Sequence, residues 1–328
     1  MVELLLQKGD VMGPGYISLP AFTAAKAIII LTAVGAFSAY RKTFYNKRKK
    51  EFDHLFSPER SPSYPFVERS NKLIAQLMAE PYEEVEIVAS DGKRLVGKYY
   101  HRRDGAPLDI LFHGYKSSAF HDFPGLALKI LESGHNLLLV DQRGHGKSDG
   151  RTISFGINER YDCLEWTKYA VHRFGDDVQI VIIGNSMGAA TVLYASELDL
   201  PPQVRGIIAD CPFSSADRVI KGKVLKMGLP VRPAFLLIRF GGMLFGRFDV
   251  CEHTPLQAAR QARLPLLLFH GTEDQLVPYE MSVELSETYG GDVRLELFEG
   301  AGHGTSFLAD TPRYVRALHE FYEKILKC

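Results

Sequence analysis

Gly184-Asn185-Ser186-Met187-Gly188 stands between an apolar run at residues 178–183 and a small-residue segment that opens with Ala189-Ala190-Thr191. An apolar strand, a sharp turn carrying a serine between two glycines, and a helix that starts at once are the parts of a nucleophile elbow. Ser186 is therefore the candidate nucleophile. At the tip of such a turn the serine is backbone-strained, and a side chain two positions before or after it would collide with the neighbouring strand or helix, so both flanking positions are glycine. The same turn leaves the backbone N–H of Met187, at a helix N-terminus, free to bind a developing oxyanion.

The elements needed to hold such a turn follow in order. Residues 84–89 and 95–100, separated by Ser90-Asp91-Gly92-Lys93, read as a hairpin. Apolar strands at 108–112, 136–140, 178–183, 204–209, 264–269 and 293–298 alternate with helical stretches at 120–133, 158–174 and 312–326. That alternation predicts an α/β fold, a mostly parallel central sheet with helices on both faces. Polar residues cluster where the strands end: His113-Gly114-Tyr115, Asp141 to Ser148, Asp210-Cys211, His270 to Asp274 and Gly302-His303-Gly304. Ligands of parallel α/β sheets bind at that edge.

Ahead of the sheet, the chain divides by composition. Residues 1–15 read as a disordered N-terminus, 16–40 as a transmembrane anchor, 41–82 as a basic and proline-containing connector, and 83–328 as the catalytic domain. The 16–40 stretch is mainly apolar around Ala27-Ile28-Ile29-Ile30-Leu31, long enough to cross a bilayer despite Pro20 and Lys26. A signal peptide or a core helix is the other reading. The basic residues Arg41, Lys42, Lys47, Arg48, Lys49 and Lys50 lie on its far side, which disfavours a cleaved signal. The positive-inside rule then predicts a single-pass cell-membrane protein with its catalytic domain in the cytoplasm.

Taken together, F-H-G-Y, D-Q-R-G-H-G, G-N-S-M-G, H-G-T-E-D-Q-L-V-P and G-A-G-H-G, in this order, resemble the α/β hydrolases. The wording of H-G-Y-K-S-S and D-C-P-F-S-S is similar to a bacterial membrane-tethered, YqkD-like branch near the serine aminopeptidase, monoglyceride lipase and cinnamoyl esterase groups. The resemblance implies an α/β-hydrolase fold with a helical lid insertion at about 212–259. It also implies a Ser-Asp-His triad in that chain order: Ser186 as nucleophile, Asp274 as acid and His303 as base. A serine hydroxyl needs an imidazole to take its proton, and the imidazole needs a carboxylate to orient it. Asp210 is the alternative acid, at a position some family members use, and Glu273 adjoins Asp274. His113, His145 and His270 have structural readings, as a loop brace, a turn residue and the end of a buried strand. In this superfamily the second oxyanion donor comes from the loop after H-G, here the backbone N–H of Tyr115, beside that of Met187.

The lid is apolar, with Met227, Leu229, Phe235, Leu236, Leu237 and Ile238 among its residues. It is either a helical cap packed on the core or an acyl-binding wall. Its basic residues Arg218, Lys221, Lys223 and Lys226 either touch headgroups or form a solvated face. The expected activity is hydrolysis of a small-molecule carboxylic ester through an acyl-serine intermediate, with no metal or organic cofactor. A peptidase, amidase or thioesterase on the same triad is the alternative, and a non-catalytic membrane-tethered binding protein is the alternative of another class. Lys+Arg and Asp+Glu balance at 39 each, which removes the electrostatic case for nucleic acid. The four scattered cysteines form neither a disulfide framework nor a metal-ligand spacing. Oligomeric state has no signature in the sequence.

Overall fold

The computed structural model describes residues 19–47 and 66–326, with the side chains of the first helix described from Lys26 onward. The expected disordered segment 1–15 and the prolines of 57–65 lie outside the described residues. Two helices precede the sheet, α1 (Leu19–Thr43) and α2 (Val67–Ala79), and β1 (Glu83–Val88) and β2 (Arg94–Tyr100) form the expected hairpin. β3 (Leu108–Phe112) is followed by α3 (Ala119–Asp122) and α4 (Pro124–Glu132), β4 (Asn136–Asp141) by α5 (Glu159–Phe174), and β5 (Ile180–Asn185) by α6 (Met187–Ala195). After β6 (Val204–Asp210) come α7 (Ala216–Lys226), α8 (Val231–Gly241), a π-helical turn (Gly242–Gly246) and α9 (Pro255–Gln261). β7 (Leu266–Gly271), α10 (Glu280–Thr288), β8 (Val293–Phe298), α11 (Ser306–Ala309) and α12 (Thr311–Ile325) complete the order.

The eight strands form one sheet in the order β1-β2-β4-β3-β5-β6-β7-β8, antiparallel at β1-β2 and β2-β4 and parallel throughout the rest. Every residue of β3, β4 and β5 is buried, the signature of strands covered on both faces. Alternate residues serve opposite cores: Leu111, Ile183 and Phe269 face α4 and α12, while Ile110, Ile182 and Leu268 face Trp166 and Leu193. Parallel register brings the ends of β5, β6 and β7 side by side, Asn185 next to Asp210 and Asp210 next to Phe269. The helix expected over 120–133 is two helices, because Pro124 lacks an N–H and starts the second.

The expected transmembrane anchor at 16–40 is not supported. Among the described residues no helix is long and apolar enough to cross a membrane. The lower half of α1 instead packs on the cap. A Cβ on Gly241 would lie 2.4 Å from the Ala36 carbonyl oxygen, so α8 crosses α1 at backbone contact. Tyr40 Oη is 2.6 Å from Thr152 Oγ1, and Tyr45 bridges to Thr152. Phe44 is fully buried, edge-on to Phe155 and Phe248 at 5.9 and 4.9 Å. These residues belong to a third core, with Met187, Phe213 and Ile238, at the strand-end edge of the sheet. Phe44→Ala is expected to destabilise the chain by about 3–5 kcal/mol in a denaturant titration, since it removes a fully buried ring and leaves a cavity. Ile30→Ala, at an exposed position of the same helix, should change it by less than about 0.5 kcal/mol.

Candidate active site

Ser186 sits between the end of β5 and the start of α6 with φ +53°, a conformation that non-glycine residues avoid. The flanking glycines are required by contact. A Cβ on Gly184 would fall 2.2 Å from Gly188 O, and one on Gly188 would fall 1.7 Å from Phe112 O. Ser186 N–H donates to Asp210 O at 2.8 Å, tying the turn to β6.

His303, in the loop after β8, has Nε2 2.8 Å from Ser186 Oγ and Nδ1 2.6 Å from Asp274 Oδ2. A carboxylate oxygen only accepts, so Nδ1 carries the proton and Nε2 is left to accept from the serine hydroxyl. Asp274, in the turn after β7, is fully buried at its side chain. Its other oxygen, Oδ1, accepts the N–H groups of Leu276 and Val277 at 2.8 and 2.9 Å. Burial opposes its charge, but hydrogen bonds from His270 and His303, the charge of His303 and the Val277 N–H outweigh it and hold the carboxyl well below its usual range.

His270, read from the sequence only as the end of a buried strand, is also a neighbour of the acid. Its Nε2 is 3.2 Å from Asp274 Oδ2 and 3.0 Å from Val277 O. Both are acceptors, so Nε2 carries a proton and donates, leaving Nδ1 to face the Ser282 hydroxyl at 2.6 Å. Cys211 is the second such neighbour. It has φ +45°, and its Sγ lies 3.1 Å from Asn185 Oδ1 and 4.0 Å from His303 Nε2. The H-G and D-C dipeptides at the ends of β7 and β6 were the available signal.

Asp210 makes no bond to His303. It accepts from Ser306 Oγ at 3.3 Å and from Tyr314. Burial pushes its pKa up to about 6, only partly offset by His270, Tyr314, Ser306 and His303. Glu273 is exposed. The structure therefore brings Asp274 to the imidazole, and neither of its rivals.

The loop after β3 is braced from three sides. Gly114 N–H donates to Asp122 Oδ2 at 2.6 Å, and His113 Nδ1 donates to Gly114 O at 2.8 Å. Burial works against the Asp122 charge, yet His121 and Ser117 hold its pKa at about 2. His145 Nε2 accepts Lys116 N–H at 3.0 Å, and burial drops its pKa to about 3, so it stays uncharged. Met187 begins α6, where position alone deprives its N–H of an intrahelical acceptor. The Tyr115 ring lines the pocket, 5.1 Å from Phe155, with its hydroxyl donating to Thr43 O at 2.6 Å.

One group among the described residues has metal-site proximity: the ligand atoms of Cys211, Asp274 and His303 lie within 4.8 Å of one another. Both His303 ring nitrogens are already engaged, and burial, with the nearby Asp210 and Asp274 charges, pushes the Cys211 thiol well up, away from the thiolate a metal needs.

Above Ser186 and Met187 opens a cavity of ≈ 500 Å³. Its walls come from α1 (Gly35, Ala39), α7 (Ile220, Val224) and α8 (Leu237, Ile238). The lid both packs on the core and lines the cavity. Phe235 and Phe248 pack on the third core, Met227, Leu229 and Leu237 line the cavity, and Ile238 does both. Lys42 and Lys223 are its charged lining residues. None of the three lid acids lines the cavity: Asp217 is paired with Lys221 and Asp249 with Arg239, each at 2.6 Å, and Glu252 is exposed.

Compared with known proteins, residues 110–318 match a family model described as alpha/beta hydrolase family. The uncharacterized protein YqkD of Bacillus subtilis (strain 168) is 26% identical over 252 residues, covering 75% of this chain and 82% of that protein. The uncharacterized protein YfhR of Escherichia coli (strain K12) is 26% identical over 236 residues, 69% of this chain and 74% of its own. Among solved structures, the Pyrococcus furiosus esterase Pf2001 superposes with TM-score 0.64 at 23% identity, over 86% of this chain and 100% of that one. The esterase EaEST from Exiguobacterium antarcticum gives TM-score 0.54 at 19% identity, over 73% and 99%. At these identities the structural matches speak for the fold.

Proposed function

The chain belongs to the alpha/beta hydrolase family, and from that premise we propose that it is a serine hydrolase cleaving a long-chain carboxylic ester through an acyl-Ser186 intermediate. The carrying observation is the hydrogen-bonded run from Ser186 through His303 to Asp274, at 2.8 and 2.6 Å, on the floor of an apolar cavity. As Ser186 Oγ attacks the ester carbonyl, His303 Nε2 takes its proton, and Asp274 stabilises the resulting imidazolium. The N–H groups of Met187 and Tyr115 receive the oxyanion. When the carbon–oxygen bond breaks, His303 returns the proton to the departing alcohol. A water molecule, deprotonated by the same nitrogen, then attacks the acyl-serine, and as the acyl–Oγ bond breaks His303 returns that proton to Ser186 Oγ, releasing the acid.

An ester is favoured over a peptide with a free amine because such a substrate needs an acidic partner. The cavity lining contributes lysines, and the lid acids Asp217 and Asp249 are held by basic neighbours. An acyl chain fits a cavity of this size and polarity.

Two measurements on the full chain test the reading. A fluorophosphonate probe is expected to label Ser186. With nitrophenyl esters, kcat/KM should climb about fourfold per added methylene while the chain is still entering apolar surface, the full value of burying a CH2 group. A profile flat beyond acetate would remove the acyl-site reading, and absence of labelling would remove the serine nucleophile.

A further inference from the structure

The upper half of α1 is unlike the rest of the surface. Ile28, Ile29, Ile30 and Leu31 are consecutive, so at 3.6 residues per turn they point in four directions around the helix. All four are exposed, at 64%, 67%, 61% and 70%, with Val34 and Phe37 exposed further along. A helix apolar on every side is stable only when something surrounds it. A protein partner covers one face of a helix. Lipid hydrocarbon covers all of them.

The same exposure continues around the cap. Fourteen of the eighteen large apolar side chains exposed among the described residues lie between 28 and 37 or between 225 and 245. The second group includes Leu225, Met227, Leu236, Phe240 and Leu244. Such a concentration marks an interaction surface. Its charge is one-sided: α1 and α8 carry no acidic residue, and the one acid of α7, Asp217, is paired with Lys221. Lys42, Lys223, Lys226 and Arg232 are exposed on these elements. Apolar side chains flanked by basic ones suit a bilayer with anionic headgroups.

This surface also rings the cavity mouth. Lys42, Lys223, Met227, Leu229 and Leu276 both line the cavity and are exposed. From Lys26 to Phe37, α1 rises roughly 17 Å, enough to dip into one leaflet without crossing the bilayer.

We infer that the apolar half of α1 and the exposed rim of the cap insert together into an anionic phospholipid surface, so that the pocket mouth opens onto lipid and the substrate enters without passing through bulk water. α1 thus serves twice, as a wall of the pocket below and as the lipid contact above. The route of the substrate rests on the ester-hydrolase reading, whereas the docking itself does not.

The test is flotation of the full chain with vesicles of phosphatidylcholine alone and of phosphatidylcholine mixed with phosphatidylglycerol, at low and high salt. The chain is expected to float with both, more strongly with the anionic vesicles, and the increment should shrink with salt. The double variant Ile29→Glu/Leu31→Glu should lose flotation by about tenfold or more, since two charges replace inserted side chains. It should still hydrolyse a short, water-soluble ester, because neither residue lines the pocket. Lys226→Glu/Arg232→Glu should lose only the anionic increment. Ser186→Ala should float as the parent does, which separates a failure of docking from a failure of the catalytic reading. Three results would each overturn the proposal: no flotation of the parent, undiminished flotation of the double variant, or a dimer in size-exclusion chromatography that Ile29→Glu dissociates. The last would mean that a second copy covers this surface.

Discussion

Ser186→Ala is expected to lower kcat/KM for a nitrophenyl ester by about ten-thousandfold or more and to abolish fluorophosphonate labelling, with the folded structure intact. The size follows from where the hydroxyl stands. Its oxygen is the atom that would bond to the acyl carbon, and its hydroxyl donates to His303 Nε2 at 2.8 Å, far closer than the Cys211 sulfur at 4.0 Å. Removing the hydroxyl leaves an imidazole still oriented by Asp274 at 2.6 Å, together with the Met187 and Tyr115 N–H groups proposed to receive the oxyanion. What persists is the modest rate that binding and oxyanion stabilisation support alone. Alanine is tolerated sterically, since it retains the Cβ that already accepts φ +53°. Circular dichroism and the denaturation midpoint should therefore match the parent, which makes the loss a chemical one. If the variant keeps a tenth of the parent activity, hydrolysis runs through another group and the acyl-serine mechanism fails.

Much of this site could be read along the chain because each polar residue closes a strand. Gly-x-Ser-x-Gly after β5, the H-G-T-E-D run after β7 and G-H-G after β8 are local patterns, and a parallel sheet gathers their ends at one edge. Their side chains meet within hydrogen-bond distance there. What stayed hidden depends on the order of strands in space. His270 meets Asp274 only four residues on, within the turn after β7, whereas Cys211 approaches His303, 92 residues away, because the parallel sheet gathers the ends of β6 and β8 at one edge. Nothing in residue spacing states that adjacency. The first helix was hidden for another reason: apolar residues look alike whether they meet lipid, core or substrate. Ala36 and Phe44 meet the cap, Gly35 and Ala39 the cavity, and Ile28 to Leu31 neither of them. The break at Pro124 was missed by the single helix expected over 120–133, although the residue carries its own signal, since a proline lacks the N–H a helix interior needs and suits a first turn.

Asp274→Asn and Asp210→Asn should separate the two carboxylates at the strand ends. In Asp274→Asn the amide presents a donor where His303 needs an acceptor for its Nδ1 proton. The ring then takes the wrong tautomer for Ser186, at an expected cost of about ten-thousandfold in kcat. Asp210 does not touch the imidazole, so Asp210→Asn should keep kcat within about tenfold of the parent. The stability effects run in opposite senses. The Asp274 carboxyl is held low in the folded chain, so its contribution is present above the unfolded-chain value and is lost as pH falls toward the folded one. Asp210 is raised by burial to about 6. Between about pH 4 and 6 the folded chain keeps a proton that the unfolded chain has released, so stability falls as pH rises through this window. Above it the buried charge remains a burden, partly relieved by Tyr314 and Ser306. Asparagine at 210 removes that titration. The variant should gain stability relative to the parent across the window and hold on the order of 3 kcal/mol at pH 7, read from denaturation at pH 4, 5, 6 and 7. Were Asp210→Asn instead to abolish hydrolysis while Asp274→Asn spared it, the acid would be Asp210, and the imidazole would have to turn away from the partner it now faces at 2.6 Å.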